Sequence, residues 1–181
     1  MSSIVRAVLH AHIPADDSER DSLQRINALV STATDPFSRD HFEPGHLTAS
    51  GIVVDPSREH ALLIFHAKLK RWLQPGGHFE VGESDPSVAA AREVLEETGL
   101  ATRWPGEVPK LLDVDVHAIP ARKTDPLHYH FDLRMLLIAD KASVRACDDG
   151  VSDAKWVART EWQAMELDPG LQRALRKVFG K

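Results

Sequence analysis

The 181-residue chain carries 22 basic and 27 acidic side chains, and its net charge of −5 argues against binding nucleic acid by bulk electrostatics. Its single cysteine, Cys147, excludes an internal disulfide and fits a reducing cytoplasm, and no apolar run approaches the roughly 18 residues of a membrane span. The length and the 43% apolar content suit one domain with a full core, or a domain with a modest appendage, with neither export signal nor membrane anchor expected.

Two helices are expected first, over Ser2–His12 and Asp16–Thr32. Ile4, Val8 and His12 recur at helical spacing, as do Leu23, Ile26 and Val30, and Asp16, Asp17 and Ser18 offer caps for the second helix. These stripes are expected to pack on the main domain, with a homodimer contact as the alternative. The stretch Asp35–Leu47 reads as a loop from its Pro, Gly and Asp content. It divides an N-terminal helical extension, residues 1–46, from a main domain, residues 47–181.

Thr48–Val54 and His60–His66 read as strands around an Asp55-Pro56-Ser57 turn. The second contains the apolar run ALLIF, which suits a strand buried on both faces. Lys68–Trp72 reads as a basic connector and His78–Val81 as a short strand. Asp85 and Pro86 are an N-cap and first helical residue, and the helix they start runs to Thr98, with Gly99 as its stop. Leu111–Ile119 and His128–Ala139 alternate as strands on either side of a polar loop, Pro120–Pro126. After an acidic loop, Cys147–Asp153, the expectation is a short strand, Lys155–Ala158, a short helix capped by Thr160, and a last helix, Pro169–Phe179.

On the helix after Asp85, Glu93, Glu96 and Glu97 fall within roughly 100° of one another. Val88, Ala91, Val94, Leu95 and Thr98 fall on the opposite side, which is expected to be buried. Like charges at i, i+3 and i+4 weaken a helix by a few tenths of a kcal/mol per pair. A charge run is most often a solvated face, but a cluster of hard oxygens also suits Mg²⁺ or a similar cation.

The stretch Gly77–Leu100 resembles the Nudix box, G-x5-E-x7-R-E-U-x-E-E-x-G-U, where U is apolar. Gly77 and Glu83 match its first part; Arg92, Glu93, Val94, Glu96, Glu97, Gly99 and Leu100 match its second. Eight residues, not seven, separate Glu83 from Arg92, and the extra one is placed in the Glu83–Asp85 turn. In the family that glutamate braces the box arginine. Here either a bulged turn rebuilds the brace or Asp85 replaces Glu83.

The resemblance covers Leu47–Met165 and implies an α/β fold, a Nudix-like α/β/α sandwich with a mixed sheet, carrying the N-terminal helical extension. It implies hydrolysis of a phosphoanhydride bond with Mg²⁺ or Mn²⁺. The partner would be a small phosphorylated substrate, a nucleoside diphosphate linked to another moiety or a similar diphosphate, rather than nucleic acid or a membrane. Glu96 and Glu97 match the chief metal ligands. Glu93 matches a residue that binds metal or orients and deprotonates water, and Gly77 or Gly76 would lend a backbone carbonyl. Arg92 belongs to the same catalytic group as a brace, while Glu83 and Gly99 are structural. A non-catalytic Nudix module that senses a nucleotide is the alternative. An isomerase acting on an isoprenyl diphosphate would want a cysteine in the site, and Cys147 is far from the box in sequence.

Outside the box, Lys70 and Arg71 with Lys68, and Arg122 with Lys123, are candidates for substrate phosphates. His128 and His130 are expected to line the substrate pocket, or, with His117 and Asp132, to hold a second metal such as zinc. Asp153 or Asp149 is the candidate for an extra acid. Trp72, Trp104, Tyr129 and Phe131 suit either base stacking or the core.

Overall fold

The computed structural model describes residues 3–122, 124–147 and 150–180. In chain order it forms α1 (Ser3–His10), α2 (Asp17–Thr32), β1 (Gly45–Val54), β2 (His60–His66), β3 (Arg71–Leu73), β4 (Gly76–His78) and α3 (Pro86–Thr98). There follow β5 (Lys110–Ile119), β6 (His128–Ile138), β7 (Val151–Ala158), a 3₁₀ turn (Trp162–Ala164) and α4 (Pro169–Phe179). Among the described residues, no helix is long and apolar enough to cross a membrane.

β1 is the axis of the sheet and is buried at every position. It runs parallel to β6 from Gly45 opposite Tyr129 to Val54 opposite Ile138. Its other edge forks: antiparallel β4 pairs along Thr48–Ser50, and β2 takes over at Val54. β2 continues to β3 and β7, and β5 closes the far side against β6. Side chains alternate across this mixed sheet. Leu47, Ala49 and Val53 of β1 and Phe131, Leu133, Met135 and Leu137 of β6 share one core with residues of α1, α2 and α3. Ile52, Val54 and Leu136 face the other way and pack with Leu171, Ala174 and Leu175 of α4. The result is the α/β/α sandwich with a mixed sheet.

α1 and α2 lie against the same core through Val5, Leu9, Ile26, Leu29 and Val30. Glu19 ties α2 down. It is fully buried; it accepts from the Ala15 and Val114 amides, contacts His12 at 2.7 Å and pairs with Lys177. Burial pushes its carboxyl up, but His12, the Ala15 amide and Lys177 hold it down to about 2. Asp113, also buried, accepts two bonds from Arg173 at 2.8 and 2.9 Å and one from Arg134 at 3.2 Å. α2, β5, β6 and α4 therefore meet at one buried charge network.

Several boundaries differ from the sequence expectations. β1 starts at Gly45 rather than Thr48, and β7 at Val151 rather than Lys155, because partner strands extend the ladders. Arg71 and Trp72 belong to a strand, not a connector; β2 supplies their backbone partners. The short strand in the box is Gly76–His78, and Val81 lies in an exposed turn. Val88 and Leu95 are about half exposed, so the buried side of α3 is Pro86, Ser87, Ala89, Ala90, Val94 and Thr98. That side is small because α3 packs closely on β1, where the Val94 methyl would meet a Cβ at Gly51 within 2.7 Å. The segment after Thr160 is one 3₁₀ turn without a side-chain cap. Ser2, Lys123 and Asp149 lie outside the described residues.

Candidate active site

The loop and helix from Gly76 to Gly99 are held by local chemistry. Asp85 accepts from the Ser87 amide at 2.9 Å as N-cap, and Pro86 starts the helix with its preset φ. Gly99 ends it in the left-handed region at φ 73°, with its amide on the Leu95 carbonyl. Across this span Arg92 is the hub. Its Nε and Nη2 donate to the two carboxylate oxygens of Glu83, each at 3.0 Å. Its Nη1 donates to Glu93 at 2.9 Å and Glu96 at 2.8 Å, and Nη2 also reaches the His78 carbonyl at 2.8 Å.

The extra residue is absorbed before the helix. The Glu83 amide bonds the Glu80 carbonyl at 2.9 Å, and the Glu80 amide bonds the Glu83 carboxylate at 2.8 Å. This closed turn, with Gly82 at φ 90°, swings Glu83 back onto Arg92. Asp85 is occupied as the helix cap and does not substitute for it.

One guanidinium thus serves three carboxylates and compensates the charge of only one. The Arg92 bonds hold the Glu83 carboxyl below its usual range. Burial raises Glu93; Arg92 opposes this, while Glu96 and Glu83 push it further up. Glu97 turns to the other side and accepts from the Gly76 amide at 2.9 Å. The glycines matter here through space. A Cβ at Gly77 would stand 2.8 Å from the Glu93 carboxylate carbon, and one at Gly76 would stand 2.3 Å from the Ser50 Cβ.

Glu83 and Glu93 border a cleft of about 1220 Å³ between the box and the 34–40 loop, whose walls include Pro36, Phe37, Arg39, His78 and Arg92; Glu96 and Glu97 are not among the residues lining it. Lys70, Arg71, Arg122 and Asp153 are not among the residues lining it. Arg71 lies on β3 and Asp153 on β7, the two strands that flank β2; Arg122 is in the loop before β6.

His128 and His130 do not line that cleft either. They gather with His46 and His78, two residues for which periodicity alone offers no signal beyond their alternation with Thr48 and Gly76. His117 touches His130 at a ring separation of 5.6 Å. Asp132 is taken up elsewhere, accepting from Thr48, Ser50, Gln74 and Arg134. Burial, reinforced by the neighbouring imidazoles, lowers His46 and His78 to about 4 and His130 to about 2. These rings are neutral at pH 7.

A family model for the NUDIX domain matches residues 45–178. Among solved structures, a NUDIX-family hydrolase from Clostridium perfringens is similar with TM-score 0.56 and 25% identity, over 74% of this chain and 95% of that one. The NUDIX domain of Shewanella oneidensis NrtR, solved with ADP ribose, is similar in fold with TM-score 0.54 and 17% identity, over 72% and 84%. A C. elegans Ap4A hydrolase follows with TM-score 0.52 and 18% identity, over 72% and 93%. No curated protein sequence shows a detectable match. The box from Gly77 to Leu100, the mixed sheet that carries it and the match over most of the chain agree, and the chain belongs to the Nudix family.

Proposed function

We propose that the chain is a divalent-metal-dependent hydrolase cleaving a phosphoanhydride bond in a nucleoside diphosphate linked to another moiety, or in a similar diphosphate. The observation that carries this reading is the under-compensated carboxylate set, with Glu83, Glu93 and Glu96 on one guanidinium and Glu83 and Glu93 on the cleft wall. Such hard oxygen donors with residual negative charge fit Mg²⁺ or Mn²⁺. Glu93, Glu96 and Glu97 would hold the ion, with the Gly77 carbonyl. When bound, the ion neutralises phosphate charge and lowers the pKa of a water.

The chain's own groups supply the rest. Glu93 has a raised proton affinity from burial, which suits it to take a proton from an attacking water at its carboxylate oxygen. Arg92 positions Glu93 and Glu96 while itself braced by Glu83. Arg39, the other arginine on the cleft wall, is placed to meet substrate phosphate from the 34–40 loop. Lys70, Arg71 and Arg122 then serve at most as outer contacts.

The test is turnover of a panel of nucleoside diphosphate derivatives with Mg²⁺ and Mn²⁺. ADP ribose and Ap4A, the molecules named with two structural neighbours, are the starting substrates. Glu97→Gln is expected to fold normally and lose metal-dependent product formation. Unchanged turnover in that variant overturns the reading. Tight binding without product in the unaltered chain points to a nucleotide-sensing module instead.

A further inference from the structure

Of His46, His78 and His130 only His78 reaches the cleft wall, the proposed hydrolysis assigns none of the three a role, and their construction is that of a ligand set. The three residues come from three adjacent strands. His46 of β1 stands opposite His130 of β6, and His78 of β4 lies on the other edge of β1, opposite Thr48. Alternation puts all three side chains on one face. Their ring centres form a nearly equilateral triangle, with separations of 5.0, 4.9 and 5.0 Å. The rings are inclined to one another at 47°, 50° and 87°. One nitrogen from each ring lies within 4.8 Å of the other two.

His46 supplies an independent sign. Its Nδ1 faces the His41 carbonyl at 3.2 Å. A carbonyl has no proton, so Nδ1 must donate, and Nε2 is left as a bare lone pair. The residue is 1% exposed, and Nε2 is buried without a hydrogen-bond partner among the described residues. A buried acceptor left unpaired is costly, and native structures satisfy such groups or use them. A carbonyl on one nitrogen and an open lone pair on the other is the usual dress of a metal-ligating histidine.

We propose that His46, His78 and His130 form a zinc-binding site, separate from the carboxylate site of the box. Three imidazole nitrogens without thiolate or carboxylate suit Zn²⁺ rather than Mg²⁺. Zn–N bonds of about 2.1 Å at tetrahedral angles set the nitrogens about 3.4 Å apart, so the 4.8 Å group closes with small ring rotations. Three protein ligands leave one tetrahedral position for water or a substrate oxygen. The site and the box touch through the His78 carbonyl, which accepts from Arg92. The chain thereby separates two metals by donor chemistry, with oxygens for Mg²⁺ and nitrogens for Zn²⁺.

The experiment uses the full chain stripped of metal by a chelator and dialysed. Zn²⁺ is titrated calorimetrically in saturating Mg²⁺. One Zn²⁺ per chain is expected, together with a rise in Tm. His46→Asn and His130→Asn should each weaken binding by at least about tenfold, the lower end of the typical loss on removing even an outer-shell partner. Glu97→Gln should bind Zn²⁺ as the unaltered chain does. Co²⁺ added to the unaltered chain should give the intense visible absorption of a four-coordinate nitrogen site, which decides the matter even if a histidine variant fails to fold. No Zn²⁺ uptake, uptake indifferent to the histidines, uptake lost in Glu97→Gln, or only the faint spectrum of six-coordinate Co²⁺ overturns the proposal.

Discussion

Glu83 and Arg92 are joined by two parallel hydrogen bonds of 3.0 Å each, although one residue more than the family spacing lies between them. The pair fixes the angle at which the turn enters α3, and Arg92 in turn fixes Glu93 and Glu96. Glu83→Gln keeps the shape and loses one charge-assisted bond. The expected cost is about 1–2 kcal/mol, read as a fall in Tm of about 2–8 °C. Metal-dependent turnover should fall by more than about tenfold, or about 1.4 kcal/mol of barrier. Full activity at full stability would show that the brace does not matter.

A Cβ on Gly77 would crowd the Glu93 carboxylate at 2.8 Å, so Gly77→Ala displaces a flexible side-chain end rather than backbone. Stability should change by less than about 1 kcal/mol, since the atoms that must give are the far end of one flexible side chain. Turnover should drop by more than about tenfold because positioning is lost. Equal losses in stability and turnover, by denaturant titration and steady-state assay, would place the effect in folding.

Glu97→Gln tests the carboxylate site most directly. It keeps a carbonyl oxygen that can still accept from the Gly76 amide, so the fold should persist. Turnover in Mg²⁺ should fall by at least about a hundredfold, or about 2.7 kcal/mol. A chelator should abolish the activity of the unaltered chain, with recovery on adding Mg²⁺.

Glu19 is buried at the joint of α2 with β5 and α4. Glu19→Ala leaves Lys177 and the Val114 amide short of a partner, and breaking a buried charge pair costs about 3–5 kcal/mol. The denaturant midpoint should fall accordingly, and hydrogen exchange should quicken first in α1 and α2. A loss under about 1 kcal/mol would mean that the N-terminal helices add little to the domain.

The histidine cluster predicts a pH effect on the chelator-treated chain. His46 and His78 have folded values lowered to about 4, against about 6.5 when unfolded. Between those values the unfolded state binds more protons, so stability rises with pH through this window. It is fully present above about 6.5 and is lost as pH falls toward about 4. The slope should approach 1.4 kcal/mol per pH unit for each histidine that stays neutral when folded. Urea midpoints measured from about pH 7 to pH 5 should show this loss, and His46→Gln should flatten it. A flat profile in the unaltered chain would contradict the burial of neutral rings.

What could be read along the chain was local. The α3 boundaries, the Asp85 cap, the Gly99 stop and the shared side of Glu93, Glu96 and Glu97 follow from helical geometry over neighbouring residues. His60–His66, read from its apolar run, and Pro169–Phe179 also keep their expected bounds. Period alone misled where both faces of an element are covered. Asp113 and Asp115 alternate with Leu112 and Val114 as a solvated face would, yet Asp113 is fully buried among arginines. Val88 and Leu95 were expected inside but are out, because the close approach of α3 to β1 admits mainly small side chains.

The Nudix box therefore carried its own signal, while strand register decided what surrounds it. His130 stands out beside His128, but His46 and His78 are unremarkable where they stand in the chain. The three meet only because β1 pairs with β6 on one edge and β4 on the other, in a register that points all three rings to one side. Hydrogen bonding between distant strands fixes that register, and residue spacing within any one strand does not contain it. The same holds for Glu83: its nine-residue separation from Arg92 left two arrangements open, and the hydrogen bonds of the Glu80–Glu83 turn select the one in which the brace survives.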